Sequence, residues 1–259
     1  MAPKIHPTAI VSPSADLADS VIIGPYCTVG DGVILHGGTK LVSHVVVDGP
    51  TEIGENNTIF PFAYVGAPPQ DLRYKDEPTT AKIGSSNVIR EYVTIHRGSP
   101  SGTGVTEVGS QNYIMAYAHI AHDCKVGSNI IMANAATLAG HVQVHDKAVI
   151  GGLVAIHQHT RIGAYAMLGG FSGFGQDVPP YTMASGARAN LYGLNSIGLK
   201  RSGFSDETIA VLKKAYKILF RDKLTLKDAL EKVKADLPHI PELKTLTDFI
   251  EQNKRGICR

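Results

Sequence analysis

Cysteine is scarce: Cys27, Cys124 and Cys258 lie far apart, with no CxxC among them. That excludes a disulfide framework and a thiolate zinc site, and it fits a reducing cytoplasm. The first twenty residues, MAPKIHPTAIVSPSADLADS, lack the apolar core of a signal peptide. No apolar run approaches the roughly 18 residues that a membrane-spanning helix needs. A cytoplasmic protein without membrane insertion is therefore expected. Net charge is only +2, which gives nucleic-acid binding no support. Tryptophan is absent, whereas glycine supplies 27 residues, a usage that suits many short strands joined by tight turns. A length of 259 residues allows one large or two modest domains.

What is present is a repeat. Stepping by six from Ile5 meets Val11, Leu17, Ile23, Val29, Leu35, Leu41, Val47, Ile53, Ile59 and Val65. Ile83, Ile89 and Ile95 return in phase, and a second run extends from Val108 through Ile120, Val126 and Leu138 to Leu168 and Phe174. Glycine often follows the aliphatic, and a small or β-branched residue often stands four places after it. A helix repeats near 3.6 residues and a simple strand every two. A sustained period of six means a hexapeptide-repeat parallel β-helix, in which three hexads close one triangular coil. Each coil buries its inner face only against its neighbours. By resemblance to other hexapeptide-repeat proteins the winding is left-handed, against the usual crossover rule.

Two stretches interrupt the repeat. Residues 66–82, GAPPQDLRYKDEPTTAK, return in phase, and residues 96–107, HRGSPSGTGVTE, shift it by one. Both read as loops on a rigid scaffold, where binding groups tend to sit. Past residue 178 a Pro/Gly-rich connector leads to helices: one capped by Ser205, one capped by Thr225 and running to about Leu237, and one opened by Pro241 and running to about Lys254. The expected organisation is a mainly β protein, with the β-helix over 1–190 and an α-helical domain over 191–259.

Stacking converts spacing into geometry. Positions 18 apart lie above one another, so His122, Gly140 and Gln158 form a column, with His141 and His159 beside it. His119, His122, His141, His145, His157 and His159 account for six of the 11 histidines. Outward side chains of a β-helix are free to be polar, so one such histidine alone carries little. A histidine beneath a glycine is more informative, because the glycine leaves its N–H open to a substrate oxygen. A base beside an oxyanion donor is what acyl transfer requires. Imidazole suits proton transfer near neutrality, and Asp123 could orient it if the chain bends there, since strand neighbours point apart. His119, His122 and His141 could instead hold a metal. Hexapeptide-repeat carbonic anhydrases space their histidines differently and lack a long helical tail, so no metal is expected.

The motifs HIAHDC, TLAGHV, QDLRY, VTIHRG, DVPPY and RGICR resemble those of the UDP-N-acetylglucosamine O-acyltransferase family that begins lipid A biosynthesis. The resemblance covers essentially the whole chain. It implies a cytoplasmic homotrimer with sites between neighbouring prisms, moving an (R)-3-hydroxyacyl group from acyl carrier protein to the glucosamine 3-position of UDP-N-acetylglucosamine. On matching positions, His122 is the general base, Asp123 its orienter and Gly140 N–H the oxyanion donor. Gln70, Asp71 and Arg73 belong to the loop that binds sugar and acyl polar groups. His119, His141, His157 and Gln158 line the cleft, and Asn195 and Arg201 reach the diphosphate. Gly170 closes the acyl tunnel and leaves room for roughly 12–14 carbons, since misfit of each buried CH₂ is worth about 0.8 kcal/mol. The acidic carrier gives Lys200, Arg201, Lys213, Lys214, Lys217, Arg221 and Lys223 a docking role. No cofactor is implied, because the phosphopantetheine arm travels with the donor.

This sequence departs from the family pattern at three places. Arg73 stands where lysine is common, Ile197 where an acid is expected and Ser202 where a second basic residue is expected. Transfer to a 3-amino sugar, transfer by another hexapeptide-repeat acyltransferase, and a non-enzymatic trimeric scaffold are the competing readings.

Overall fold

Each hexad contributes a strand of two to four residues and a turn, and successive strands fall on three different walls. The computed structural model describes residues 2–259. The walls are sheets of eleven, nine and eight strands. Strand Lys4–Ile5 pairs with Ile22–Ile23, then Lys40–Leu41, then Thr58–Ile59, each in parallel and 18 residues on. This is the parallel β-helix expected from the period, with the left-handed winding expected from the resemblance to other hexapeptide-repeat proteins.

The periodic aliphatics fill the prism. Ile23, Leu35, Leu41, Ile53, Ile59, Ile89, Ile95, Ile114, Ile120 and Leu138 are fully buried. Val21, Cys27, Val45, Ala118, Cys124 and Ala136 are buried beside them, and the small size of these side chains lets the chain turn tightly. Ile5 remains 45% exposed, because the first coil has a neighbour on one side only. Corners recur as residues in the left-handed region. Tyr26, His44, Phe62, Tyr92 and Tyr117 mark one corner; Asp123, His141 and His159 mark another, at φ of 59°, 62° and 62°. At the first corner the rings form a continuous stack with centroids 4.8–5.1 Å apart.

The two interruptions are tighter than expected. Thr58 pairs with Val88 and Tyr64 with Thr94, 30 residues on instead of 18, so twelve residues leave the wall and the phase survives. Val88 then pairs with Tyr113 and Thr94 with His119, 25 residues on, so seven leave and the phase slips by one. Strands Tyr64–Ala67, Thr80–Ile83, Thr94–His96 and Val105–Val108 reach into both intervals, which leaves excursions over 68–79 and 97–104. Buried Asn57, Asn87 and Asn112 stitch these longer coils together: Asn87 N–H donates to Asn57 Oδ1, and Asn112 N–H to Asn87 Oδ1, both at 2.9 Å.

The connector is more structured than its composition suggests. Thr182–Ser185 pairs antiparallel with Asn190–Leu194, which carries the first wall on to Leu194. A short helix α1, Ser196–Arg201, follows. Then come α2, Asp206–Phe220, capped by Ser205; α3, Leu226–Asp236, capped by Thr225; and α4, Pro241–Glu251, with proline in its first turn. Ile209, Leu212, Tyr216 and Leu219 of α2 are buried at helical spacing. The tail ties back to the prism: Cys258 N–H donates to Asp177 O, and Arg161 bonds both Asp177 and the carbonyl of Phe249. Among the described residues, no helix is long and apolar enough to cross a membrane.

Candidate functional site

The corner at His122–Asp123 bends as the orienting role requires. Strand neighbours point apart, but Asp123 at φ 59° turns its carboxylate back toward the preceding ring. His122 Nδ1 lies 2.8 Å from Asp123 Oδ2. An ionised carboxylate only accepts, so Nδ1 carries the proton and Nε2 presents a lone pair.

Asp123 is caged by the second excursion. Its Oδ2 also accepts from Ser99 N–H at 3.0 Å and Ser99 O–H at 2.8 Å. Its Oδ1 accepts from Thr103 N–H at 2.8 Å, Thr103 O–H at 3.1 Å and Gly104 N–H at 3.0 Å. Burial pushes the carboxyl up, but the bonds from His122, Ser99 and Thr103 outweigh it and hold the group below its ordinary value. Gly102 is needed for close approach, since a Cβ there would lie 2.4 Å from the carboxylate carbon. His122, Asp123 and His141 do place ligand-type atoms within 4.8 Å of one another. A carboxylate offers about four lone-pair sites, and six donors already occupy these, so the geometry favours hydrogen bonding over metal ligation.

Gly140 lies directly over the imidazole. A Cβ at that position would sit 2.6 Å from His122 Cε1 and 2.8 Å from Nε2, so a side chain and the ring cannot share the space. At this corner the coil ladder is made by Ala139 N–H to Ile156 O and His141 N–H to His122 O, on either side of Gly140. The His141 ring meets His122 edge-on at 5.2 Å and stacks on His159 at 4.4 Å. Burial lowers the His141 pKa, and the Asp123 charge opposes that shift without cancelling it.

A cleft of about 660 Å³ opens over these groups, lined by Gln70, Asp71, Leu72, Arg73, Ser101, His122, His141, Gln158 and His159. Arg73 grips Asp71 with two nitrogens, Nε to Oδ1 at 3.0 Å and Nη2 to Oδ2 at 2.8 Å. Those bonds hold the Asp71 carboxyl well below the usual range. His119 lies on the adjoining wall with Nδ1 2.7 Å from Thr94 Oγ1, and burial drives its pKa down to about 4. A larger groove of about 750 Å³ follows the third wall past Glu52, Lys82, Glu107 and Lys125. Its histidine, His145, packs edge-on against Phe249 of α4 and takes no part in the cleft.

Besides His119 on the adjoining wall, four predicted substrate-contacting residues do not line this cleft within one chain. His157 is exposed and meets Arg255, with Nδ1 3.2 Å from the guanidinium. Asn195 is buried; its Oδ1 caps α1 through Gly198 N–H and its Nδ2 donates to Tyr165 O. Arg201 is exposed at the end of α1, next to Ser202 and near Ile197, which is 69% exposed. Gly170 belongs to the corner between the first and second walls, beside Phe171, whereas His122 turns the corner between the second and third. Sequence reasoning missed Ser99, Ser101 and Thr103. It also gave no role to His96, which is buried, has Nδ1 2.6 Å from Pro68 O and meets His119 edge-on at 5.2 Å. The one signal was that a loop leaves the wall there.

Comparison with known proteins agrees over the whole length. The family profile described as UDP N-acetylglucosamine O-acyltransferase, domain 2, matches residues 177–258. The chain is 69% identical to the acyl-[acyl-carrier-protein]–UDP-N-acetylglucosamine O-acyltransferase of Thermodesulfovibrio yellowstonii, covering 99% of each chain. It is 50% identical to the protein of that name from Syntrophobacter fumaroxidans, covering 99% of this chain and 100% of the other. Among solved structures, LpxA from Acinetobacter baumannii superposes with a TM-score of 0.96 at 48% identity, over 98% of this chain and 99% of that one.

Proposed function

This chain belongs to the acyl-[acyl-carrier-protein]–UDP-N-acetylglucosamine O-acyltransferase family, and from that premise we propose how its own residues carry out the transfer. The acceptor is the sugar 3-hydroxyl of UDP-N-acetylglucosamine, and the donor is an (R)-3-hydroxyacyl thioester on acyl carrier protein, at the entry to lipid A synthesis. His122 Nε2 takes the hydroxyl proton as the oxygen attacks the thioester carbonyl. Asp123 fixes the tautomer and stabilises the imidazolium that forms. Gly140 N–H donates to the tetrahedral oxyanion. When the intermediate collapses, the thiolate leaves and takes the proton from His122, which restores the base. The observation that carries this reading is the alignment of Asp123, His122 and Gly140, with the free Nε2 facing the cleft.

Asp71 and Arg73 hold each other at the mouth of the cleft and exchange that pairing for sugar and acyl polar groups. Asn195, Arg201 and Gly170 lie elsewhere in the same chain, as a site shared between prisms of a homotrimer requires. The exposed ring stack of Tyr26, Phe62, Tyr92 and Tyr117, on the corner that carries Gly170, offers an apolar seam for that contact. Exposed Lys213, Lys214, Lys217 and Lys223 offer positive charge to an acidic carrier protein. The reading places the protein in the cytoplasm and needs no cofactor of its own, since the thiol arm arrives with the donor.

The test is purified protein with UDP-N-acetylglucosamine and a panel of hydroxyacyl carrier proteins, with the product identified by mass spectrometry. Acylated sugar with wild type, and a loss of about 10²–10⁴-fold in His122→Ala, are the expected results. No acylated sugar from any donor overturns the reading.

A further inference from the structure

The two excursions of the β-helix carry different parts of the proposed machinery; Arg97 Nη2 meets Tyr74 Oη at 3.3 Å, and Ser101 joins the parts that carry the chemistry. Loop 68–79 holds Asp71 and Arg73, and loop 97–104 cages Asp123. Ser101 Oγ accepts from Arg73 Nη2 at 3.0 Å, and it lies 3.3 Å from Asp71 Oδ2 and 3.1 Å from Ser99 Oγ. Ser99 O–H in turn donates to Asp123 Oδ2 at 2.8 Å, the oxygen that faces His122 Nδ1 at 2.8 Å. A run of polar contacts therefore leads from the Asp71–Arg73 clamp to the base, and its Ser101–Ser99 link carries a hydrogen bond when the Ser101 proton points at Ser99 Oγ. We infer that Ser101 is a positioning residue that reports occupation of the clamp to the carboxylate orienting His122.

The argument rests on proton counting. A serine hydroxyl has one proton to give, and Ser101 has two acceptors in reach. Of the two, the charged Asp71 oxygen is the stronger acceptor. The Arg73 side chain is 74% exposed while that of Asp71 is 10% exposed, so the guanidinium can swing away while the carboxylate stays. A substrate hydroxyl that donates to the Asp71 Oδ2 lone pair used by Ser101 displaces that bond, and the Ser101 proton then turns to Ser99 Oγ. Ser99 becomes donor and acceptor at once, its own O–H is held on Asp123, and the bonds reinforce one another. The carboxylate, and through it the imidazole, is held most firmly when the acceptor sugar is in place.

The inference builds on the assignment of His122 as base. The experiment is kcat and KM for UDP-N-acetylglucosamine at saturating acyl carrier protein donor, in wild type, Ser101→Ala, Ser101→Thr, Asp71→Asn and the Ser101→Ala/Asp71→Asn double variant. Ser101 is exposed, so its replacements fold. Ser101→Ala is expected to lower kcat about 2- to 10-fold, the scale of one hydrogen bond. Ser101→Thr, which keeps a hydroxyl, returns kcat to within about twofold of wild type on the same scale. In the Asp71→Asn background, Ser101→Ala has a smaller effect on kcat, because the chain is already cut. An effect of Ser101→Ala confined to KM, or the same factor in kcat in both backgrounds, overturns the inference. His122→Ala, run in parallel, separates the premises. Full activity there removes the base and the inference together, whereas wild-type kcat in Ser101→Ala beside an inactive His122→Ala removes only the coupling.

Discussion

Replacing Asp123 by asparagine removes one charge and keeps the shape, and the cage around it dictates the result. An amide has one accepting oxygen and one donating NH₂, and it can sit in either of two orientations. With the oxygen at the Oδ2 position, Ser99 N–H, Ser99 O–H and His122 Nδ1–H keep their acceptor, but the NH₂ then faces the N–H groups of Thr103 and Gly104. With the NH₂ at the Oδ2 position, only Ser99 N–H is left facing a donor. The Ser99 hydroxyl can rotate to accept, and His122 can move its proton to Nε2. The second orientation has one fewer orphan and is the one that reverses the tautomer; its orphan, Ser99 N–H, is buried and costs about 1–3 kcal/mol, whereas Thr103 is exposed and Gly104 half-buried. The reversal leaves the proton on the atom that must accept one. The expected loss in kcat is about 10⁴-fold, the cost of the same tautomer reversal in a serine-protease triad, with the fold retained. Steady-state assays with thermal unfolding measure both, and ¹⁵N NMR of the His122 ring reads the tautomer. The carboxyl of Asp123 is held below its ordinary value, so its stabilisation is complete above the unfolded carboxyl range near 4 and fades as pH falls through the folded value. The stability gap between wild type and variant should therefore narrow in acid. A variant with kcat within about tenfold of wild type would refute the tautomer argument, which assigns it the full triad-scale loss.

Three further outcomes follow from the site. Gly140→Ala would press a methyl against the imidazole at 2.6 Å, so the ring must move by about 1 Å to reach ordinary contact. Activity should fall about 10²-fold while overpacking costs about 1–3 kcal/mol, and assays with urea unfolding separate the two. Gly170→Met should shift selection toward shorter acyl chains in a competition assay; unchanged selectivity sinks the ruler assignment. His119 ionises at about 4 in the fold and near 6.5 when unfolded. The unfolded chain thus binds more protons between those values, and stability rises with pH across that window. His119→Gln should flatten the slope of urea midpoint against pH from about 4 to 6.5.

The column of His122, Gly140 and Gln158 was legible because a coil has fixed length, so sequence distance becomes height. The cage around Asp123 was not, because Ser99, Thr103 and Gly104 lie on a stretch that leaves the ladder, where period carries no positional information. The bend at Asp123 was hidden for another reason. Aspartate is enriched in the left-handed region, but Tyr117, Lys147 and Leu153 share that backbone at other corners, so residue type does not mark where the chain bends. Helix starts at Ser205 and Thr225 were readable from their caps, whereas the hairpin of Thr182–Ser185 and Asn190–Leu194 was masked by the glycines and prolines around it. The pairing of Asp71 with Arg73 is local, but its contact with Ser101 depends on how the two loops meet, which no residue type reveals.

The two excursions leave the wall and rejoin it with every strand back in its ladder. The coil below Ile59 and the coil above Ile120 therefore keep their usual neighbours, and neither has to change when a loop changes length. The prism thus holds His122 beneath Gly140 whatever the length of 68–79, and that loop is tied to the base through the contact of Ser101 with Ser99.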